Sequence, residues 1–317
     1  MARAYLVYNP AAGRFPSGIL AARAAEILAS HGWEIEQRYV ESGEQITRFA
    51  EEASAREMDA FFVVGGDGSV NQAIPGLVNG PTALGVLPAG TANVWAQELG
   101  LPGITLDRKK AIEMSAQALV DGRICHVDVG LCSGRPFLLW AGIGLDAFIV
   151  HRIEPRTQWE KHFSVVHYTA SAIWNAGFWR GTNLRVEADD HCVEDHFLLA
   201  VVSNIHLYAG GLVQLSPEAR LDDGIMDLWL FKGETLGETV QIALDMFYGR
   251  HLDSDRALRL PFRKARISSS SPVYIQVDGE KVDAQEEVFL EVRRKALKVL
   301  VPKETPLQLF SGGDDGS

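Results

Sequence analysis

Three glycines within four residues, Gly65-Gly66-Asp67-Gly68, followed by Ser69-Val70-Asn71, are the part of this sequence best suited to chemistry. Glycines let backbone approach an anion closely, and a helix beginning there offers unpaired N–H groups at its positive end. A phosphate suits that arrangement. Asp67 repels a phosphate unless a cation such as Mg²⁺ lies between them, so its place among the glycines argues for a metal; a cap on a tight strand-to-helix turn is the alternative. The spacing matches neither the Walker A loop nor G-x-G-x-x-G. Two further loops have similar character. In Asn9-Pro10-Ala11-Ala12-Gly13-Arg14 the arginine suits pairing with phosphate oxygens, and in Gly90-Thr91-Ala92-Asn93 the threonine offers a hydroxyl and an N–H. Each taken singly is an ordinary turn. Farther along, Asp278-Gly279-Glu280 sets two carboxylates about one glycine. In an extended segment both point to the same side, which suits Glu280, by its longer reach, to accept a proton, with Asp278 as the alternative. Asp-Gly is equally a hairpin signal. Arg220-Leu221-Asp222-Asp223-Gly224 reads as a turn whose adjacent acids and carbonyls suit a hard cation. The nine histidines contain no H-E-x-x-H and no i, i+4 pair, which argues against a histidine metal site.

The elements that must position these residues fall into two patterns. Through the first 130 residues, short apolar runs at 5–8, 34–40, 60–64 and 84–87 alternate with helical patterns at 19–31 and 44–55. That alternation is the signature of a parallel sheet covered by helices. It puts the glycine loops at the carboxyl ends of strands, where open α/β sheets place ligands. From about residue 123 the pattern turns strand-rich, at 125–131, 136–141, 184–188, 197–203, 225–231, 273–277, 288–292 and 297–301. Two helical patterns interrupt it, about 165–178 and 235–248. The expectation is an α/β domain over 1–124 with a parallel sheet and glycine-rich nucleotide loops, then an antiparallel β-rich domain over 125–310, then a disordered acidic tail at 311–317.

Composition bounds the function. With 317 residues, 47% hydrophobic and 22% charged, the chain has globular proportions and room for two cores. A net charge of -11 excludes a general nucleic-acid backbone binder. Cys125, Cys132 and Cys192 form no C-x-x-C pair, so neither a zinc knuckle nor a disulfide framework is encoded, and a reducing, cytoplasmic setting is expected. The apolar run at residues 4–8 is closed by Asn9-Pro10 too early for a signal-peptide core. The longest apolar stretch, 137–150, is interrupted by glycines and an aspartate and is shorter than the ~20 residues a membrane helix needs.

In order along the chain, Asn9-Pro10 to Gly13, Gly65 to Asn71, Gly90 to Asn93, His126-Val127-Asp128-Val129-Gly130, Ala141 to Ala147, Tyr208-Ala209-Gly210-Gly211, Leu221 to Gly224 and Val277 to Glu280 together resemble the diacylglycerol kinase catalytic-domain family. The likeness is to its soluble bacterial lipid kinases and, more distantly, to sphingosine kinases and NAD kinases. It implies an ATP-binding α/β domain, a β-sandwich-like lipid domain with a cleft between them, and final strands that return to the first domain. It implies ATP contacts from Asn9 to Gly13, from Gly65 to Asn71 and from Thr91, with Asp67 in a Mg²⁺ network beside Asp128. It also implies a base from the Asp278-Gly279-Glu280 turn, and a separate structural Mg²⁺ held by Asp223 with the backbones of Arg220 and Ile225.

Departures from the family pattern lie near the phosphates: Ser69 stands for Thr, Gln72 for Glu and Val94 for Asp, so two carboxylates are missing. Glu41 falls about where relatives place a nucleotide-contacting Thr. Phosphoryl transfer to a hydroxyl needs a clamped triphosphate, Mg²⁺ and a carboxylate for the alcohol proton, and all three have candidates here. The reading is therefore an ATP- and Mg²⁺-dependent lipid kinase. A soluble-metabolite kinase of the NAD kinase type and a nucleotide-binding module without turnover are the rivals. The expected partner is a lipid substrate at a membrane surface, with a homodimer as a further candidate and the protein peripheral to the inner membrane face. Two basic stretches bear on that contact: residues 151–185, net +3 with Trp159, Phe163, Trp174, Phe178 and Trp179 interleaved, and residues 250–266, net +4; an ordinary core helix with a solvated basic rim is the alternative, since aromatic spacing alone does not separate core from interface.

Overall fold

Apolar runs closed by Gly, Pro or Asn become strands in the first part of the chain, and the alanine- and leucine-rich patterns between them become helices. The computed structural model describes residues 1–10, 17–103, 110–153 and 179–312. Ala11, Ala12, Gly13 and Arg14, the helical pattern at 165–178, and Trp159, Phe163, Trp174 and Phe178 lie outside the described residues.

The chain divides into two compact units. The first comprises Met1–Val129, Leu221–Asp223 and Arg294–Ser317; the second comprises Gly130–Arg220 and Gly224–Arg293. The first therefore extends past 124 and takes in the end of the chain. In order it holds β1 (Ala2–Tyr8), α1 (Ser17–Ser30), β2 (Trp33–Tyr39), α2 (Gly43–Ala55), β3 (Ala60–Gly65), α3 (Asp67–Leu77), β4 (Ala83–Pro88), α4 (Val94–Glu98) and α5 (Ala111–Val120). Its sheet runs β2-β1-β3-β4, all parallel. The central strands β3 and β4 are buried almost throughout, as a sheet covered on both faces requires, whereas β2 at the edge has no buried residue.

β5 (Arg123–Cys132) passes into the second unit. There follow β6 (Arg135–Phe137), β7 (Trp140–Gly144), α6 (Leu145–Ile153), β8 (Thr182–Ala188), β9 (His191–Phe197), β10 (Leu199–Ser203), the short pair β11 (Leu207–Tyr208) and β12 (Val213–Gln214), β13 (Met226–Phe231), α7 (Leu236–Phe247), β14 (Ala257–Phe262), β15 (Lys264–Val277) and β16 (Glu280–Val301). The pairings β14-β13-β10-β7-β15-β16 and β9-β8-β15 are antiparallel. Alternation sorts the side chains into two cores. Ala141, Val186, Val202, Leu228, Phe262 and Ile275 pack on one side. Val201, Trp229 and Phe231 on the other meet Ile242 and Met246 of α7 and Leu145 of α6.

Several expectations are corrected. The strand expected at 136–141 is broken between β6 and β7, because the N–H groups of Leu138, Leu139 and Trp140 turn to the carboxylate of Asp278. The runs at 288–292 and 297–301 are one strand, β16, interrupted only by the left-handed Lys295 at φ 51°. Ser311 does not begin a disordered tail: its N–H and hydroxyl both donate to Asp222 Oδ1, at 2.6 and 2.7 Å. Among the described residues no helix is long and apolar enough to cross a membrane.

Candidate active site

In the first unit the loops after β3 and β4 abut. A Cβ built on Gly90 would lie 2.6 Å from Gly66 Cα, so neither position accepts a larger residue without backbone movement. Ala89 N–H donates to Gly65 O at 2.9 Å, and Asn93 clamps the second loop: its Oδ1 accepts from Gly90 N–H at 2.8 Å while its Nδ2 donates to Gly90 O at 2.9 Å. Asn93 itself is left-handed, at φ 54°, a conformation asparagine tolerates better than most.

Asp67 opens α3 and spends its carboxylate on the neighbouring loop. Its Oδ2 accepts from Val94 N–H at 3.0 Å and its Oδ1 from Trp95 N–H at 3.1 Å, at the start of α4. Two backbone donors at the start of α4 thus hold this carboxylate, as a cap between the two loops would. Burial pushes this carboxyl above the ordinary aspartate range, against the pull of those N–H groups. A carboxylate has about four acceptor sites, so two bonds leave capacity for a cation as well.

Two observations fit a phosphate at this place. Gly68 has ordinary backbone angles and open space within 4 Å of its would-be Cβ, so nothing in the chain's own packing demands glycine there. That space is open to a ligand approaching the first turn of α3. Asn71, one turn on, is 4% exposed, and its Nδ2 is a buried donor without a hydrogen-bond partner. Ser69 N–H closes the turn onto Gly66 O at 2.9 Å and Val70 is core, so those two positions hold the loop's shape. Thr91 is exposed between Gly90 and Asn93. Asn9, with Pro10 after β1, accepts from Ser17 Oγ at 2.6 Å through its carbonyl.

Asp128 lies on β5, fully buried; its Oδ1 accepts from Lys295 N–H at 2.7 Å, and its own N–H donates to Leu221 O at 2.6 Å. Lys295 also reaches Asp222 Oδ2 at 3.4 Å through Nζ. Asp223 follows in the first unit, with Arg220 and Ile225 flanking it in the second. Among the described residues no three His, Cys, Asp or Glu side chains gather as a metal-holding group, so a metal at either place would lean on carbonyls or on the ligand's own oxygens.

In the second unit Asp278-Gly279 is the two-residue loop of the β15–β16 hairpin, with Val277 opposite Glu280 and φ of 48° and 82°. Asn-Gly and Asp-Gly favour such turns because both central residues must be left-handed. The extended arrangement with both carboxylates on one side is therefore corrected. Asp278 is buried, accepting from Leu138 N–H at 2.9 Å and from Leu139 and Trp140 N–H at 3.0 Å each. Glu280 is about one-third exposed and pairs with Arg135 Nη2 at 2.5 Å. Sequence reasoning missed Arg135, since 145 residues separate the partners. It also missed Asp146 as a site candidate. That carboxylate lies over Gly142, accepts from Gln276 Nε2 at 2.6 Å and bonds Tyr208, and its burial raises its pKa despite those bonds. An acid inside an otherwise apolar run, 137–150, was the available signal.

Known families divide at about the same place in the chain. Residues 3–132 match the profile of the diacylglycerol kinase catalytic domain, and residues 141–301 match that of the YegS C-terminal NAD kinase beta sandwich-like domain. The chain belongs to the diacylglycerol kinase catalytic-domain family and is a kinase. It is 27% identical over 312 residues to a diacylglycerol kinase of Bacillus subtilis, covering 98% of this chain and 99% of that one. It is 27% identical over 309 residues to one of Staphylococcus epidermidis, with 95% and 93% covered. A crystal structure of a diacylglycerol kinase from Bacillus anthracis str. Sterne shares the fold at TM-score 0.72 and 19% identity, covering 96% of this chain and 98% of that one.

Proposed function

We propose that this kinase transfers the γ-phosphoryl group of ATP, with Mg²⁺, to the hydroxyl of a lipid of the diacylglycerol kind. The observation that carries the reading is the pair of abutting glycine loops at the carboxyl ends of β3 and β4, beside the open Gly68 and the unpartnered Asn71 amide. Relatives named diacylglycerol kinase, matched along nearly their whole length, support the lipid acceptor.

In this reading the nucleotide lies against Asn9 and Pro10, against Gly65 to Asn71, and beside Thr91. Asp67 and Asp128 would hold one Mg²⁺, and Asp223 with the carbonyls of Arg220 and Ile225 a second, structural one. Bound Mg²⁺ neutralises charge on the phosphate oxygens. The open first turn of α3 at Gly68 orients the phosphates, and the Asn71 amide donates to one of their oxygens. Glu280 is the base: it is reachable, and a carboxylate oxygen accepts the hydroxyl proton. Arg135 orients it. Asp278 acts through the hairpin, since its oxygens already serve three backbone donors.

The test is incubation with radiolabelled ATP and Mg²⁺ against dispersed diacylglycerol, a total lipid extract and NAD in parallel. Label should enter lipid only. Glu280→Gln should cut lipid phosphorylation about a hundredfold while ATP binding, followed by calorimetry, stays within a few-fold. Label in NAD alone overturns the lipid acceptor, and a parental rate in Glu280→Gln removes that residue as the base.

A further inference from the structure

Helix α7 is apolar on two faces. Ile242 and Met246 face the core. On the opposite side Leu236, Val240, Leu244 and Phe247 recur at helical spacing and are 41, 41, 46 and 57% exposed, and Tyr248 and Leu252 extend the stripe at 66 and 48%. The helix carries two acids, and neither is free: Glu238 pairs with Arg256 at 2.9 Å and Asp245 with Arg250 at 3.0 Å. Its exposed residues, Leu236, Gly237, Val240, Gln241, Ala243, Leu244 and Phe247, are therefore all uncharged in a chain of net charge -11. At the carboxyl end Phe247 stands edge-on to Tyr248, and the guanidinium of Arg250 sits over the Tyr248 ring at 5.3 Å. Apolar rings tipped by a hydroxyl and an arginine are the composition of a boundary between hydrocarbon and headgroups.

The exposed stripe amounts to roughly 500–600 Å², the upper end of what a soluble monomer leaves uncovered. It falls short of the ~800 Å² per partner in a standard protein–protein interface, which weighs against a second copy as its cover. Charge weighs the same way. The net +4 of residues 250–266 does not survive folding as a free basic patch, because Arg250, Arg256, Arg259 and Arg266 pair with Asp245, Glu238, Asp227 and Glu287. What remains is a neutral apolar face with arginines at its rim. We propose that this face of α7 docks on the surface of a phospholipid bilayer and inserts Leu244 and Phe247 below the headgroups. The proposal rests on the lipid-kinase reading for its purpose and on α7 alone for its geometry.

The experiment uses the full chain with vesicles of phosphatidylcholine, alone or with one-third phosphatidylglycerol, and follows co-sedimentation. The parent should partition onto both, and Leu244→Ser and Phe247→Ser should each weaken partition about tenfold. Phosphorylation of a short-chain, water-soluble diacylglycerol without vesicles should stay parental in both variants. As a check independent of folding losses, Phe247→Trp should gain quenching by bromine-labelled lipid relative to the parent. Parental partition of both serine variants, no partition of the parent, or no added quenching overturns the proposal. So does a fall in dimer content by light scattering with vesicle binding intact, which would make the face a contact between copies. A parent that binds vesicles through α7 yet phosphorylates no lipid leaves this docking standing and removes the proposed reaction.

Discussion

Two aspartates beside glycines, Asp67 in the first unit and Asp278 in the second, look alike in sequence and are held alike, each by backbone N–H groups of a distant segment. They differ in what is left over. Asp278 gives its oxygens to three donors and is closed in a hairpin. Asp67 serves the start of α4 through Val94 and Trp95, and its neighbours face open space at Gly68. One carboxylate builds a turn; the other builds a turn and keeps room for a ligand. Backbone-anchored acids are thus not by that fact spent, and the number of donors and the openness beside them decide.

The largest effect should fall on stability at the closed site. Asp278→Ala strands three N–H groups, those of the buried Leu138 and Leu139 and the half-buried Trp140, and should cost on the order of 3–5 kcal/mol, read as a lower midpoint in urea unfolding. An equal loss of stability in Asp67→Asn would erase the contrast. Instead Asp67→Asn should fold, with about 1 kcal/mol lost, and drop turnover about a hundredfold. Its stability relative to the parent should improve with pH. The folded pKa of Asp67 is raised, so the parent carries a penalty that grows as pH rises from about 4 through the folded value, and the amide escapes it.

A smaller pair of substitutions separates packing from ligand space within the loops. Gly90→Ala drives a methyl against Gly66 Cα and should cost about 1–3 kcal/mol. Gly68→Ala meets nothing in the protein, so its melting temperature should hold while the KM for ATP rises several-fold. The reverse pattern would make Gly68 a structural position. Smallest of all is the titration of Asp222. Burial raises its pKa, but the Ser311 donors and Lys295 outweigh that and hold it below the ordinary aspartate range. Its contribution is present above about pH 4 and lost as pH falls through the folded value, so Asp222→Asn should show a shallower loss of melting temperature below pH 4.

The fold was legible where burial on both faces produces unbroken apolar runs, as in β3 and β4, and where helical spacing is clean, as in α2 and α7. It was less so at β9, whose His191 to His196 is largely polar, and at β14, where leucines alternate with arginine and proline. In the site, the glycine loops announced themselves because their constraint is local. The partners of their acids did not. Asp67 meets Val94 and Trp95 across 27 and 28 positions, and α4, five residues long, has too few turns to show a period. The residues Asp278-Gly279-Glu280 do not by themselves tell an extended pair from a turn, because the Asp-Gly signal and the alternation of carboxylates support either conformation. What chose the hairpin was the need of Leu138 to Trp140 for acceptors, a demand no residue near 278 records.

The course of β16 has a consequence for how the protein is made. Val299 pairs with Leu84 of β4, Lys295 holds Asp128, and Thr305 Oγ1 donates to Leu99 O at 2.8 Å, so the first unit borrows its last strand from the far end of the chain. On the ribosome, residues 1–129 emerge with the rim of β4 bare and a buried carboxylate short of a donor. Their sheet is completed only after nearly the whole second unit has been synthesised. Order of translation and order of folding therefore part company, and the half of the molecule made first is finished last.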